Sequence, residues 1–140
     1  MKVTVLSTAR LREPSLKERF QYYQKLLRGR LSLDIRLVKN GPLKSAVPTN
    51  HYSVALDENG KQLTSMELAA WLRERIQSGV QGISILIGAA DGLSPSDIKT
   101  ADDVFSLSKL TLPHQICFVV VAEQMYRALS IINGEKYHRP

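Results

Sequence analysis

Two short stretches hold residue types that could do chemistry. The first, "LIGAADGLSP", runs from Leu86 to Pro95. An apolar strand-like run ends in Gly88-Ala89-Ala90-Asp91-Gly92. Ser94 is then placed to cap a helix, Pro95 suits its first position, and Leu93 with Ile98 forms an apolar staple. Glycine lets a backbone turn sharply and approach a ligand closely, and a strand, a Gly loop and a helix start make a binding edge in a parallel sheet. The loop is neither G-x-x-x-x-G-K-[ST] nor G-x-G-x-x-G, and Asp91 would repel a phosphate. A ligand carrying adenosine and a positive centre fits better than a phosphate chain. An ordinary strand-to-helix turn would read the same way.

The second stretch, "FSLSKLTLPH", spans Phe105 to His114. Phe105, Leu107 and Lys109 alternate with Ser106, Ser108 and Leu110, as in a short strand. The segment stops at a Pro-His corner just before the most apolar run in the chain. Beyond it, Glu123 and Arg127 stand one helical turn apart and can pair. Cys117, between Ile116 and Phe118, reads as a core thiol rather than a nucleophile. A lone cysteine excludes an intrachain disulfide and any multi-cysteine zinc site. His51 and His114 lack a paired motif, so no metal site is expected.

The elements that must position these groups follow from the patterning. The 140 residues, 44% of them hydrophobic, fit one domain, 1–140, with a real core. Lys2 to Ser7 and Leu33 to Val38 alternate as strands. Between them a helix opens at Pro14, with Ser15 and Glu18 as a capping box, carries Leu16, Phe20, Tyr23 and Leu27 at helical spacing, and stops at Gly29. Leu43 to Asn50 reads as a loop. His51 to Leu56 reads as a strand ended by Asp57-Glu58-Asn59-Gly60. Thr64 and Glu67 make a second capping box for a helix reaching Gly79, and "GISILIG" is a strand buried on both faces. "ICFVVV" has strand propensity, but the unbroken run from Gln115 to Ile132 places Met125, Ala128, Leu129 and Ile132 at helical spacing, so a buried helix is expected. Alternating strands and helices imply an α/β fold with a mainly parallel sheet and helices on both faces.

The net charge is +6, and Arg10, Arg12, Lys17, Arg19, Lys25, Arg28 and Arg30 crowd the first thirty positions, with Lys136, His138 and Arg139 near the end. Such an excess favours polyanionic partners, nucleic acid above all, although a solvated helix face would look similar. The longest apolar run, Ile116 to Ala122, is far short of the about 20 residues a spanning helix needs. No membrane segment is expected, and a reducing, cytoplasmic setting is the simplest one for a single thiol.

Taken together, "LIGAADGLSP", "FSLSKLTLPH", "VVVAEQMYRALSI" and the terminal "YHRP" closely resemble, in order and spacing, the SPOUT-class RNA methyltransferases. Within these the likeness is to the enzymes that methylate N3 of a pseudouridine in large-subunit ribosomal RNA. The resemblance implies a C-terminal deep trefoil knot, an exception to unknotted topology, and a homodimer with each site near the subunit interface. It implies S-adenosylmethionine as methyl donor, held by Leu56, by Gly88 and by the loop Leu107, Ser108, Lys109, Leu110, Thr111 and Leu112. In that loop small side chains would leave main-chain groups free to read adenine. Ribosomal RNA is the implied partner. The tail Tyr137, His138 and Arg139 would reach the site from across the dimer; Arg127 is a further candidate for the reaction, although its pair with Glu123 reads equally well as structural. His138 and Arg139 would position RNA, with His138 also a candidate proton acceptor.

Two departures stand out. Ala89 occupies a position where the family usually has a second glycine, at a penalty of about 1 kcal/mol if the backbone there needs positive φ. The stretch between Val38 and His51 is short where relatives carry an extra helix. A catalytically silent, knotted RNA- or ribosome-binding dimer is the rival reading.

Overall fold

The computed structural model describes residues 1–140. Five strands form one sheet: β1 (Lys2–Ser7), β2 (Ser32–Leu37), β3 (His51–Gln62), β4 (Gly82–Leu86) and β5 (Asp103–Ser106), in the order β2-β1-β4-β3-β5. Every pairing is parallel. The helices are α1 (Pro14–Leu27), α2 (Ser65–Gln77), α3 (Pro95–Thr100) and α4 (His114–Ile132), with a short 3-10 turn at Leu43–Ala46.

Side-chain alternation splits the sheet's two faces. Val3, Val5, Val54, Ile83, Ile85 and Ile87 face the main core, where Phe20, Tyr23 and Leu27 of α1, Leu72 of α2 and Phe118, Val121, Ala122 and Met125 of α4 meet them. The intervening Leu6 and Leu86 pack on Leu43 and Leu93 on the other side. There Asp97, only 2% exposed, accepts bonds from the Leu43 and Lys44 amides at 3.0 and 2.9 Å. That carboxylate orders the short segment after β2. All five residues of β4 are buried, as the unbroken apolar run predicts.

Two of the three expected helix starts form. The Thr64–Glu67 capping box closes in both directions, and the Ser94 hydroxyl accepts from the Asp97 amide at 3.1 Å behind Pro95. The box expected at Ser15 and Glu18 does not form. Glu13 is the N-cap, Pro14 follows it, and no side chain caps locally. Instead the buried Gln115 Oε1 accepts the Arg12 amide at 2.9 Å and the Glu13 amide at 3.4 Å, while Gln115 Nε2 donates to the Arg10 carbonyl at 2.6 Å. The first turn of α4 thus holds the segment that leads into α1.

β3 also runs on past its expected end at Leu56. Leu56 and Lys61 both lie opposite Phe105, so Asp57 to Gly60 form a bulge. Gly60 fits there because a Cβ would come within 2.8 to 2.9 Å of the Val104 and Phe105 backbone. The stretch Phe105 to Leu110 is strand only as far as Ser106. Helix α4 begins at the Pro-His corner and is long and apolar enough, by length and composition alone, to cross a membrane, with a mean hydropathy of 1.3. Here it packs on α1 and α2 as the helix of the main core.

Gln115→Ala should leave two main-chain amides and one carbonyl unpartnered in a confined place, lowering stability by about 1–3 kcal/mol. Urea unfolding checks this; an unchanged midpoint would mean water replaces the glutamine without loss.

Candidate active site

The C-terminal ends of β3 and β4 and the segment after β5 enclose a cavity of about 670 Å³, within the size range of small-ligand sites. Its walls come from Leu56–Glu58, Ile87–Leu93 and the segment from Leu107 to Cys117, with Lys109 and Ile116 among the residues off the wall. Of the eight residues expected to hold a cofactor, Leu56, Gly88, Leu107, Ser108, Leu110, Thr111 and Leu112 line it, and Lys109 does not.

Each wall has a local cause. Gly88 is needed for close approach, not for an unusual φ: a Cβ would sit 2.4 Å from the Gly92 carbonyl carbon and 2.6 Å from the Leu93 nitrogen. The loop closes by a bond from the Gly92 amide to the Ala89 carbonyl at 2.8 Å, and Gly92, at φ +78°, takes the left-handed position. No non-glycine residue has positive φ, so Ala89 is unstrained and the penalty feared from its sequence does not arise.

The serines of the second stretch stitch its loop to itself. Ser106 Oγ donates to the Ser108 carbonyl at 2.8 Å, and Ser108 Oγ accepts the Leu110 amide at 2.9 Å. Two main-chain groups expected to be free are thereby occupied. The amides of Lys109, Thr111 and Leu112 donate to no protein acceptor. Leu110, 74% exposed, stands at the rim. Unpaired main-chain donors beside apolar side chains match an adenine ring's edges and faces. The carboxylates of Asp57, Glu58 and Asp91 on the same walls suit a positively charged ligand better than a phosphate. Asp57 and Glu58 were not foreseen; their signal was the bulge, which depends on pairing with β5. Cys117 reaches the cavity wall but also packs on the core, and burial raises its pKa, keeping the thiol protonated. His114 lies on the wall too, whereas His51 is far along β3, with Nδ1 3.1 Å from Ser84 Oγ.

The catalytic candidates assemble elsewhere. Arg127 Nε bonds both Glu123 oxygens, at 2.9 and 3.1 Å. Its Nη1 lies 3.0 Å from His138 Nδ1, and its guanidinium sits 4.8 Å over the Tyr137 ring. Tyr137 packs edge-on to Tyr126 at 4.7 Å and donates to Glu123 at 3.3 Å. Burial, with Tyr23 and Glu123 nearby, pushes the Tyr137 pKa up, and the bond to Glu123 raises that of Arg127. A guanidinium can only donate, so His138 Nδ1 accepts, and a neutral ring carries its hydrogen on Nε2. Arg139 is exposed. None of these side chains lines the cavity. From Cys117 to Arg127 the helix rises about 15 Å. One protomer therefore keeps the cavity, at the first turn of α4, apart from the tail cluster, on the middle turns of that helix.

A family described as predicted SPOUT methyltransferase matches residues 1–138. The chain belongs to the SPOUT methyltransferase family. S-adenosylmethionine is the methyl donor of such enzymes, and the cavity's free amides, apolar side chains and carboxylates suit it. A ribosomal RNA large subunit methyltransferase H of Laribacter hongkongensis is 35% identical over 156 positions, covering 99% of each chain. One from Methylobacillus flagellatus is 49% identical over 88 residues, 63% of this chain and 56% of that protein, so this stronger match spans less than two thirds of the relative. Among solved structures, a probable methyltransferase from Bordetella pertussis shares the fold at TM-score 0.59 and 11% identity, covering 91% of this chain and 95% of that one.

Gly88→Ala should weaken S-adenosylmethionine binding at least tenfold, about 1.4 kcal/mol, whereas Ala89→Gly should change it by no more than about 1 kcal/mol. Calorimetry with the donor checks both. Equal affinities for the two variants would dissociate the Gly88 close approach from binding.

Proposed function

We propose that this SPOUT protein methylates N3 of a pseudouridine in large-subunit ribosomal RNA, using S-adenosylmethionine, as a homodimer. The carrying observation is the end-to-end likeness to proteins named ribosomal RNA large subunit methyltransferase H, with the cavity at the matching loops. The sulfonium supplies an already activated methyl group. The protein's task is to align that group with the base and to ease loss of the N3 proton; alignment alone contributes up to about 7–11 kcal/mol.

In this reading the main chain of Lys109, Thr111 and Leu112 holds the adenine, Gly88 and Leu56 wall it, and the carboxylates face the positive end. In the same reading the segment after β5 threads the β4–β5 crossover on its way to α4, forming the trefoil knot that the family resemblance implies. Arg127 and the Nε2 hydrogen of His138 stabilise the ring's negative charge as N3 gives its proton to water and takes the sulfonium's methyl group; with Nδ1 bonded to Arg127 and Nε2 protonated, His138 has no free lone pair and is not the proton acceptor its sequence position suggests. Arg139 contacts RNA.

The separation of cavity and tail supports a cross-subunit site. The outer stripe of α4 supports it as well: Ile116 is exposed and Val119, Val120, Glu123 and Arg127 are incompletely buried. A second copy laid on that stripe in a two-fold arrangement brings each tail towards the other cavity. The silent-binder reading has no feature of its own on this face, and turnover decides against it or for it.

Deleting residues 137–140 should abolish methylation while leaving donor binding nearly unchanged. Mixing that truncation with Gly88→Ala under conditions of subunit exchange should restore about a quarter of wild-type activity, since half the dimers then hold one complete site. Mass spectrometry of the ribosomal RNA reads the product. Full activity in the truncation removes the tail from the reaction, and no restoration on mixing places the site within one protomer.

A further inference from the structure

The C-terminal end of α1 and the start of β2 frame a second, open cavity of about 610 Å³, remote from the loops described above. Its cations are Lys25, Arg28 and Arg30, with the Met1 amine; Asp34 is the sole acid on its walls. Local structure explains their arrangement. Arg30 N bonds the Leu27 carbonyl at 3.0 Å, Arg28 has φ −51° and ψ 138°, and Gly29 has φ +82°. These values define a type II turn, whose third position favours glycine. The turn sets Arg28 and Arg30 on either side of Gly29, beyond Lys25 in the last turn of the helix.

Cations at a helix C-terminus can simply complement its dipole. Arg30 already does so, donating to the Leu26 carbonyl at 3.0 Å and pairing with Glu135 at 2.7 Å. Lys25 and Arg28 bond no carboxylate and no carbonyl through their side chains, and both are exposed. Nearby on the same helix, Tyr22 is 45% exposed, with the Arg19 guanidinium 4.3 Å over its ring. A basic cleft beside an exposed aromatic ring matches the chemistry of a sugar–phosphate strand. The cleft also adjoins the tail. Arg30, besides holding Glu135, lies 5.7 Å over Tyr126, which packs on Tyr137.

We propose that this cleft is a phosphate track that docks the backbone of large-subunit ribosomal RNA and leads it towards the Tyr137–His138 tail. This rests on the RNA methyltransferase reading above and extends it to a surface outside the cofactor cavity. Lys25 and Arg28 each neutralise one phosphate, and neither touches the methyl donor or the reacting base.

The test is the double variant Lys25→Gln/Arg28→Gln, with Lys25→Arg/Arg28→Lys as the charge-preserving control. Binding to protein-free large-subunit RNA and to intact ribosomes is measured between about 50 and 200 mM KCl. The glutamine variant should bind both roughly tenfold or more weakly, with a salt slope shallower by about 1.4–1.8. KM for the RNA substrate should rise while kcat and S-adenosylmethionine affinity stay put, and the control should restore binding. Unchanged affinity and slope overturn the track even if wild-type protein methylates RNA normally. Loss on ribosomes alone also overturns it, and assigns the cleft to a ribosomal protein. Wild-type protein that binds RNA through the cleft yet transfers no methyl group upholds the track and overturns the enzymatic reading instead.

Discussion

Every strand in this sheet points the same way, and that single constraint fixes where chemistry can happen. A parallel strand can be followed by another only after a crossover, so each strand's carboxyl end opens into a loop at one common edge. The ends of β3, β4 and β5 are neighbours in pairs there, because β3 lies between the other two. Loops far apart in sequence, at 56–58, 87–93 and 107–113, are thereby brought around one cavity. Burial of β4 on both faces makes the register of that edge hard to slip, since a one-residue shift would drive Ser84 into the face that Ile83 and Ile85 fill.

What could be read from the sequence divides along local and non-local lines. The Thr64–Glu67 box, the Ser94 cap, the buried β4 and the whole of α4 depend on residues within a turn or two of one another, and each forms where its pattern says. The box at Ser15 and Glu18 looked equally good, yet the helix starts at Pro14 behind Glu13, with Ser15 already inside its first turn, and the chain just before it is held from about a hundred residues away by Gln115. The end of β3 was misread for the same reason: Asp57-Glu58-Asn59-Gly60 has turn composition, but β5 offers Phe105 to both Leu56 and Lys61 and carries the strand onward. Seven of the eight expected cofactor residues line the cavity because short motifs carry loops intact. Unlike Asp91, the acidic walls at Asp57 and Glu58 carry no sequence signal, because a bulge has no signature apart from its partner strand.

Helix α4 joins the two halves of the proposed chemistry. Its first turn faces the cavity through His114 and Cys117 and locks α1 through Gln115; its later turns present Glu123 and Arg127 to the tail. One face of its apolar content fills the core, which is why a run of β-branched valines folds here as a helix: eighteen residues without Gly or Pro can satisfy their own backbone while Phe118, Val121, Ala122, Met125 and Leu129 fill the space under α1 and α2.

The tail is fastened by contacts of a particular kind. Arg127 shares its single Nε hydrogen between the two Glu123 oxygens, and both residues belong to α4. What holds residues 137 and 138 is weaker: an edge-on ring pair, a 3.3 Å hydroxyl bond, one guanidinium–imidazole contact and, before them, the partly exposed Arg30–Glu135 pair. Contacts of that class contribute up to about 1 kcal/mol each. The guanidinium is thus anchored within its own helix, whereas the tail over it is held by side-chain contacts from elsewhere in the chain. On the proposed reading, a nucleotide approaching Arg127 would meet a group placed by the helix, under a cover, Tyr137 and His138, held by side-chain contacts alone. If the proposed site is here, a cation anchored in the helix under a lightly held aromatic cover would let a base in and then close over it.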